Sequence, residues 1–118
     1  MRRFGQIIGI DPDRVDEYTA HHDAIWPEIA GALTEAEIGN YSIFFHGEHL
    51  FAYYEYHGPA DEYEERMSAV ADAPRMKEWW ALVGAMQRPL ADRPAGAWWT
   101  DMREVFHLAG TDDSTASG

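Results

Sequence analysis

Apolar positions come in short runs along this chain, and turn residues separate the runs. Residues 4–10 form a short, mostly apolar run that ends at a turn signal, which predicts a first strand. Asp11 and Pro12 suit the N-cap and the first position of a helix that begins there. Because proline disfavours helical geometry in the residue before it, we predict that this helix breaks ahead of Pro27 and resumes over about 27–36.

The middle of the chain carries two apolar runs that are close enough to pair as a β-hairpin. After the turn residues Gly39 and Asn40, predicted strands over 41–46 and 50–56 flank the sequence His46-Gly47-Glu48-His49. The rest of the chain predicts helical pieces over about 60–72 and 75–87 separated by Pro74, a loop over 88–97, a last strand over 98–108 and a disordered tail over 109–118.

This order of elements is βαββαβ, with both helical segments broken, and it is typical of a ferredoxin-like α+β plait with its helices on one face of an antiparallel sheet. We expect a single domain over residues 1–108. In the hairpin, apolar residues occupy both odd and even positions, unlike a sheet with one wet face. We therefore expect a second copy of the chain to pack sheet against sheet, which gives a homodimeric α+β barrel.

The composition removes several classes of partner. The chain has 21 Asp and Glu against 9 Lys and Arg, a net charge of −12 that would repel nucleic acid and anionic membranes, so we expect neither as a partner. No segment approaches the roughly 20 apolar residues that span a bilayer, and the N-terminus lacks a signal-peptide pattern, so we expect a cytoplasmic protein. Because there is no cysteine, disulfides, thiolate nucleophiles and Cys-ligated metals are excluded.

Tyr18 and His22 are the first candidates for chemistry. They lie four residues apart on the first predicted helix, so their side chains are neighbours on a face that Val15 and Ile25 continue. One interpretation is a buried histidine satisfied by a tyrosine and a backbone carbonyl. The other is an acid/base pair in a pocket, because imidazole has a pKa of about 6.5 and a phenol bonds well to a sugar hydroxyl.

Two tryptophan pairs and one acidic strand residue also have two interpretations. Trp79 and Trp80 are either core packing or an aromatic platform for a pyranose ring, and adjacent helix residues cannot both face the same way. Trp98-Trp99 is interpreted as strand packing near the subunit contact. Glu55 is either a hydrogen-bonded carboxylate or a partner that holds a pocket residue.

Four segments of the chain together resemble the L-rhamnose mutarotase family, and the resemblance covers about residues 3–108. The segments keep the order and the approximate spacing of that family. They are Tyr18-x-x-x-His22-x-x-Ile25-Trp26-Pro27-Glu28, Asn40-Tyr41-Ser42-Ile43-Phe44, Trp79-Trp80 and Glu104-Val105-Phe106-His107-Leu108.

The resemblance implies an isomerase that interconverts the α and β anomers of L-rhamnose in the cytoplasm. It implies a dimeric ferredoxin-like barrel, a monosaccharide substrate, and neither a cofactor nor a metal. His22 matches the position of the acid/base catalyst. Tyr18, Tyr41, Trp79 and Trp80 match the positions that bind the sugar.

Three alternatives stay open at this point. The first is a mutarotase for another sugar such as L-fucose, because a pocket wall discriminates a methyl-sized change by only about 1–3 kcal/mol. The second is a cofactor-free monooxygenase, a haem-degrading enzyme or a lactone isomerase, since small dimeric α+β barrels support these activities too. The third is a sugar-binding barrel without turnover, in which replacement of His22 would change little.

Overall fold

The computed structural model describes residues 1–110, which form one antiparallel sheet with helices against it. Residues 1–110 contain no helix with the length and hydrophobicity that a bilayer span requires. Its elements are β1 (Arg2–Ile10), α1 (Val15–Asp23), α2 (Pro27–Glu35), β2 (Ile38–His46), β3 (His49–Tyr56), α3 (Tyr63–Asp72), α4 (Pro74–Gly84), β4 (Gln87–Arg88) and β5 (Thr100–Met102), with single 3₁₀ turns over Pro12–Arg14 and Ala60–Glu62.

The strands lie in the order β2-β3-β1-β4, and their pairings are antiparallel. β5 pairs with β1 over Gly5–Ile7, while β4 pairs with the end of β1 at Gly9 and Ile10. These two short strands therefore lie along the same edge of β1. The prediction was one last strand instead of two. The α+β class and the βαββαβ order are confirmed.

The predicted helix breaks are confirmed, and residues at the breaks themselves cause them. The Asp11 carboxylate accepts a hydrogen bond of 3.0 Å from the backbone N–H of Asp13, which caps the first turn. Trp26 has extended geometry (φ −64°, ψ 136°), and Pro27 then begins α2. Ala73 is likewise extended before Pro74 begins α4.

The core lies between the sheet and the helices. β3 alternates strictly, with its even-numbered residues buried and its odd-numbered residues partly exposed. Side chains that share the buried face include Phe4, Ile8, Leu50, Tyr54 and Tyr56 from the sheet and Ile29, Val70, Met76 and Trp79 from the helices.

A β-bulge partly explains why apolar residues occupy both odd and even positions in the hairpin. The pairing of β2 with β3 shifts between Gly39 and Ser42, where Asn40 has a positive φ of 48° that asparagine tolerates better than most residues. Ile38 lies opposite Tyr56 before the bulge, and Ile43 lies opposite Ala52 after it. Because opposed residues share a face, the core-facing positions of β2 change from even to odd at the bulge.

Three predicted boundaries are wrong. Gly39 and Asn40, expected as a turn before a strand over 41–46, lie inside β2, which begins at Ile38 and bulges there.

The second helical segment was expected to reach residue 87, but α4 ends at Gly84. Asp11 N–H donates to the Met86 carbonyl at 2.9 Å, so the chain joins the edge of β1 as β4 instead of continuing the helix.

The last strand was expected over 98–108, but only Thr100–Met102 is a strand. Met102 lies opposite Gly5, so only the first residues of β1 remain beyond it as a partner. Arg3 and Glu104 form an ion pair at 3.0 Å there, and residues 103–110 have no regular secondary structure. Most of the predicted disordered tail, residues 111–118, lies outside the described residues.

Candidate functional site

A cleft of about 1300 Å³ opens between α1, α2 and α4 on one side and β2 on the other. It exceeds the range of about 300–1,000 Å³ that is common for small-molecule pockets. Every residue that the sequence analysis assigned to the site lines this cleft, namely Tyr18, His22, Tyr41, Trp79 and Trp80.

His22 lies in the last turn of α1 between two aromatic rings. The Tyr18 ring stacks on the imidazole at a centroid distance of 4.3 Å, and the edge-on Trp79 ring is 5.2 Å away. Its Nδ1 lies 2.9 Å from the backbone carbonyl oxygen of Tyr18. Because a carbonyl can only accept, Nδ1 carries the proton and Nε2 of the neutral ring holds a lone pair.

Burial favours the neutral form of this histidine. Desolvation lowers the pKa of His22, and the bond to the Tyr18 carbonyl only partly opposes that shift. Among residues 1–110, Nε2 has no hydrogen-bond partner. The ring therefore faces the cleft as a proton acceptor at neutral pH.

Tyr18 is the buried polar residue beside His22. It is 4% exposed, and burial raises its pKa to about 12. Its hydroxyl oxygen accepts a hydrogen bond of 3.2 Å from the side-chain amide of Gln87, which partly opposes that rise in pKa. The phenol is therefore neutral at physiological pH and keeps its own proton for a further bond.

The two adjacent tryptophans of α4 have different surroundings. Trp79 is 4% exposed and packs edge-on against both His22 and Trp26, whereas Trp80 is 46% exposed. The Arg75 guanidinium lies 4.1 Å from the centre of the Trp26 ring and covers it from outside. The structure thus has one core tryptophan and one wall tryptophan, as the spacing predicted.

Tyr41 closes the β2 side of the cleft. It follows the bulge residue Asn40, and its ring stacks on Tyr54 at a centroid distance of 5.1 Å. Although 41% of the residue is exposed, desolvation raises the pKa of its phenol to about 12. Tyr41 therefore also offers a neutral hydroxyl.

Gln87 and Trp98 are cleft residues that the sequence analysis missed. The strand assignment of Trp98-Trp99 is wrong, because both residues precede β5. Both line the cleft, and Trp99 also packs against the core. The indole N–H of Trp98 donates to the Gln87 side-chain oxygen at 2.7 Å. No periodicity marks these residues, because a two-residue strand places Gln87 against Tyr18 and a loop places Trp98 against Gln87.

Both interpretations of Glu55 hold in part. Its carboxylate accepts hydrogen bonds from Tyr53 (2.6 Å), Asn40 (2.6 Å) and His57 (2.9 Å). These bonds, that of Tyr53 first, lower its pKa. Glu55 does not line the cleft, but it holds Asn40, which does.

The family model described as L-rhamnose mutarotase matches residues 3–108. The chain belongs to the L-rhamnose mutarotase family. Similar L-rhamnose mutarotases include that of Oceanobacillus iheyensis, 34% identical over 92% of this chain and 99% of the relative. That of Bacillus subtilis is 36% identical over the same shares, and that of Burkholderia cenocepacia is 43% identical over 84% and 90%.

Solved structures show the same fold. The crystal structure of L-rhamnose mutarotase FA22100 from Formosa agariphila superposes with a TM-score of 0.71 at 20% identity, over 92% of this chain and all of the other. Tetracenomycin F2 cyclase from Streptomyces glaucescens, a type-II polyketide cyclase, superposes with a TM-score of 0.64 at 16% identity over the same shares. The chain is therefore an isomerase family member on a barrel fold that other chemistries also use.

Proposed function

We propose that this chain interconverts the α and β pyranose anomers of L-rhamnose by acid/base ring opening and closure, with no cofactor or metal. The names of its relatives at 34–43% identity support the substrate. The observation that carries the mechanism is the neutral His22, whose Nδ1 is bonded to the Tyr18 carbonyl and whose Nε2 is available in the cleft.

Ring opening needs two proton transfers. A base removes the proton from the anomeric hydroxyl while the bond between the anomeric carbon and the ring oxygen breaks, and an acid gives a proton to that ring oxygen. The open aldehyde then rotates about its C1–C2 bond and closes on its other face, and the two transfers reverse. The sugar leaves as an isomer, and the enzyme regains its starting protonation state.

His22 is the base in this scheme, and it returns the proton when the ring closes. A group that titrates close to the working pH suits both directions of transfer. Its lowered pKa keeps the imidazole neutral, so the ring is ready to accept a proton at pH 7. The hydrogen bond from Nδ1 to the Tyr18 carbonyl fixes the tautomer that leaves Nε2 as the acceptor.

Four side chains that match the family's sugar-binding positions line the cleft, and each has a role in this proposal. The hydroxyls of Tyr18 and Tyr41 bond to sugar hydroxyls or to the ring oxygen, and both phenols are neutral. The exposed indole of Trp80 offers a flat face for the C–H side of the pyranose. Trp79 holds His22 from behind through its edge-on contact.

The homodimer and the cytoplasmic location belong to the same proposal. Large apolar side chains are exposed both on β2 and after β5, which supports burial against a second copy of the chain. They are Phe44 (64% exposed), Phe45 (45%), Val105 (81%), Phe106 (78%) and Leu108 (79%). Sedimentation at micromolar concentration should give a dimer, and a monomer would contradict this part of the proposal.

NMR magnetisation exchange between the two anomeric protons of L-rhamnose tests the function. We expect the protein to speed exchange for L-rhamnose more than for L-fucose or D-glucose run beside it. Faster exchange of L-fucose alone would keep the chemistry and change the substrate. No acceleration of any of the three sugars would contradict the proposal.

A further inference from the structure

A chain of hydrogen bonds runs from the rim of the cleft to the side chain beside His22. Trp98 Nε1 donates to Gln87 Oε1 at 2.7 Å, and Gln87 Nε2 donates to the Tyr18 hydroxyl oxygen at 3.2 Å. These three side chains line the cleft, and together they form a path that ends at Tyr18.

The donor and acceptor roles along this path follow from the indole of Trp98 at its outer end. An indole N–H can only donate, so the Gln87 amide must present its oxygen to Trp98 and its NH₂ to Tyr18. The Tyr18 oxygen accepts this bond, and its own proton is then available to another acceptor. The orientation of one amide thereby decides which role the phenol plays.

We propose that Gln87 is a positioning residue, oriented by Trp98, that makes Tyr18 a hydrogen-bond donor to the sugar. This inference rests on the proposed function, in which Tyr18 contacts the sugar. It divides the two roles of ring opening between neighbours, because His22 Nε2 is the acceptor and the Tyr18 hydroxyl is the donor. Successive bonds along such a chain polarise one another, which strengthens the terminal donor.

The backbone around Gln87 is arranged to hold it at this place. β4 reaches the edge of β1 beside Gly9, where an added Cβ would lie 2.4 Å from the Arg88 carbonyl oxygen, so only glycine allows this approach. Arg93 pins the loop that follows, since its guanidinium donates to the carbonyls of Leu90 and Ala97 at 2.9 Å. This loop delivers Trp98 to the amide.

Two variants of Gln87 separate the hydrogen-bonding role from mere packing. Gln87→Met keeps the size of the side chain without a donor, and Gln87→Glu keeps its shape but offers only acceptors when ionised. Arg88→Ala is the matched control, because Arg88 is the next residue of β4 and its side chain is exposed and paired with Asp11. The readouts are kcat and KM for anomer exchange, the ¹³Cζ shift of Tyr18, and the indole N–H signal of Trp98.

We expect Gln87→Met to lower kcat about tenfold with little change in KM, as for loss of one hydrogen bond that matters at the transition state. Gln87→Glu should lose more at pH 7, and its rate relative to wild type should recover as the pH falls and the carboxyl regains a proton to donate. The Tyr18 ¹³Cζ signal should move in opposite directions in the two variants. Arg88→Ala should match wild type.

Wild-type kcat in both Gln87 variants, with an unmoved Tyr18 signal, would overturn the inference while leaving anomer exchange intact. If the wild-type protein exchanges no sugar, the proposed function fails, and the Tyr18 signal alone then decides whether Gln87 donates to the phenol. Trp98→Phe covers the case in which a Gln87 variant does not fold. It removes the N–H that orients the amide, and it should also move the Tyr18 signal, whereas an unmoved signal would overturn the inference.

Discussion

His22 on α1 and Glu55 on β3 are both titratable side chains that form hydrogen bonds within the protein, yet their surroundings favour opposite charge states. Desolvation in the aromatic cleft lowers the pKa of His22 and keeps it neutral. Hydrogen bonds from Tyr53, Asn40 and His57 lower the pKa of Glu55 and keep it ionised.

The two residues also differ in how many of their hydrogen-bonding atoms already have a partner among the described residues. Both carboxylate oxygens of Glu55 accept short hydrogen bonds, so the group has little capacity for a ligand. His22 lines the cleft, and within residues 1–110 only its Nδ1 forms a hydrogen bond, so Nε2 keeps its lone pair. A shifted pKa therefore does not by itself mark a catalytic group, and the unsatisfied atom distinguishes the two.

The largest expected effect comes from removing the imidazole. His22→Gln should lower kcat for anomer exchange by about 10²–10⁴-fold, the usual contribution of a positioned acid/base group, while the protein stays folded. Glu55→Gln is the matched control and should stay within a few-fold of wild type. Equal losses of kcat in the two variants, measured by NMR exchange, would contradict the assignment of His22, and not Glu55, as the catalytic group.

The next effect concerns the packing that desolvates His22. Trp79→Ala should lower the free energy of unfolding by about 3–5 kcal/mol, because it removes a large buried side chain. Trp80→Ala should leave stability within about 0.5 kcal/mol, as for an exposed residue, but should raise KM. Denaturant unfolding and exchange kinetics measure the two variants side by side, and a stability loss confined to Trp80→Ala would contradict the assignment of core and wall.

Loss of the carboxylate cluster should be structural. Glu55→Ala removes the carboxylate that accepts from Asn40 and Tyr53, so we expect a loss of about 1 kcal/mol in unfolding free energy, as for a partly exposed hydrogen bond. The activity measured at a temperature where the variant is folded should change far less than in His22→Gln. A variant of full stability would show that the cluster contributes nothing to the fold.

The smallest effects are on the pH dependence of stability, and His22 and Glu55 should act in two separate pH ranges. The folded pKa of His22 is below its ordinary value of 6.5, so the unfolded chain binds a proton first and stability should decrease as the pH falls below about 6.5. For Glu55, the folded pKa is below 4.5, so stability should decrease further as the pH falls past that value.

His22→Gln should reduce the loss of unfolding free energy below about pH 6.5. Glu55→Gln should reduce the further loss at pH values below 4.5. Unfolding free energies measured at half-unit pH steps would separate the two contributions. A loss below pH 4.5 that persists unchanged in Glu55→Gln would mean that other carboxylates cause it.

Local signals in the sequence predicted most of the elements that build the cleft. Pro27 and Pro74 each begin a helix and favour extended geometry in the residue before them, which a local window of sequence shows. The spacing of Tyr18 and His22 places both on one helix face. The division of Trp79 and Trp80 into one core and one wall residue follows from the same helical geometry.

The remaining features depend on contacts between distant parts of the chain. The bulge at Asn40 is set by register against β3, and the end of β5 depends on where β1 begins. The contact of Gln87 with Tyr18 joins residues 69 positions apart, so no window of the sequence contains it. Tertiary pairing decides such features, and local propensity does not.

The most direct test of the central claim is the pH profile of anomer exchange of L-rhamnose for wild type and His22→Gln. We predict that wild-type kcat/KM falls on the acid side as His22 is protonated, with an apparent pKa below 6.5, and that the His22→Gln profile is low and flat across that range. A wild-type profile without this acid limb, or a His22→Gln variant as active as wild type, would contradict the assignment of His22 as the base.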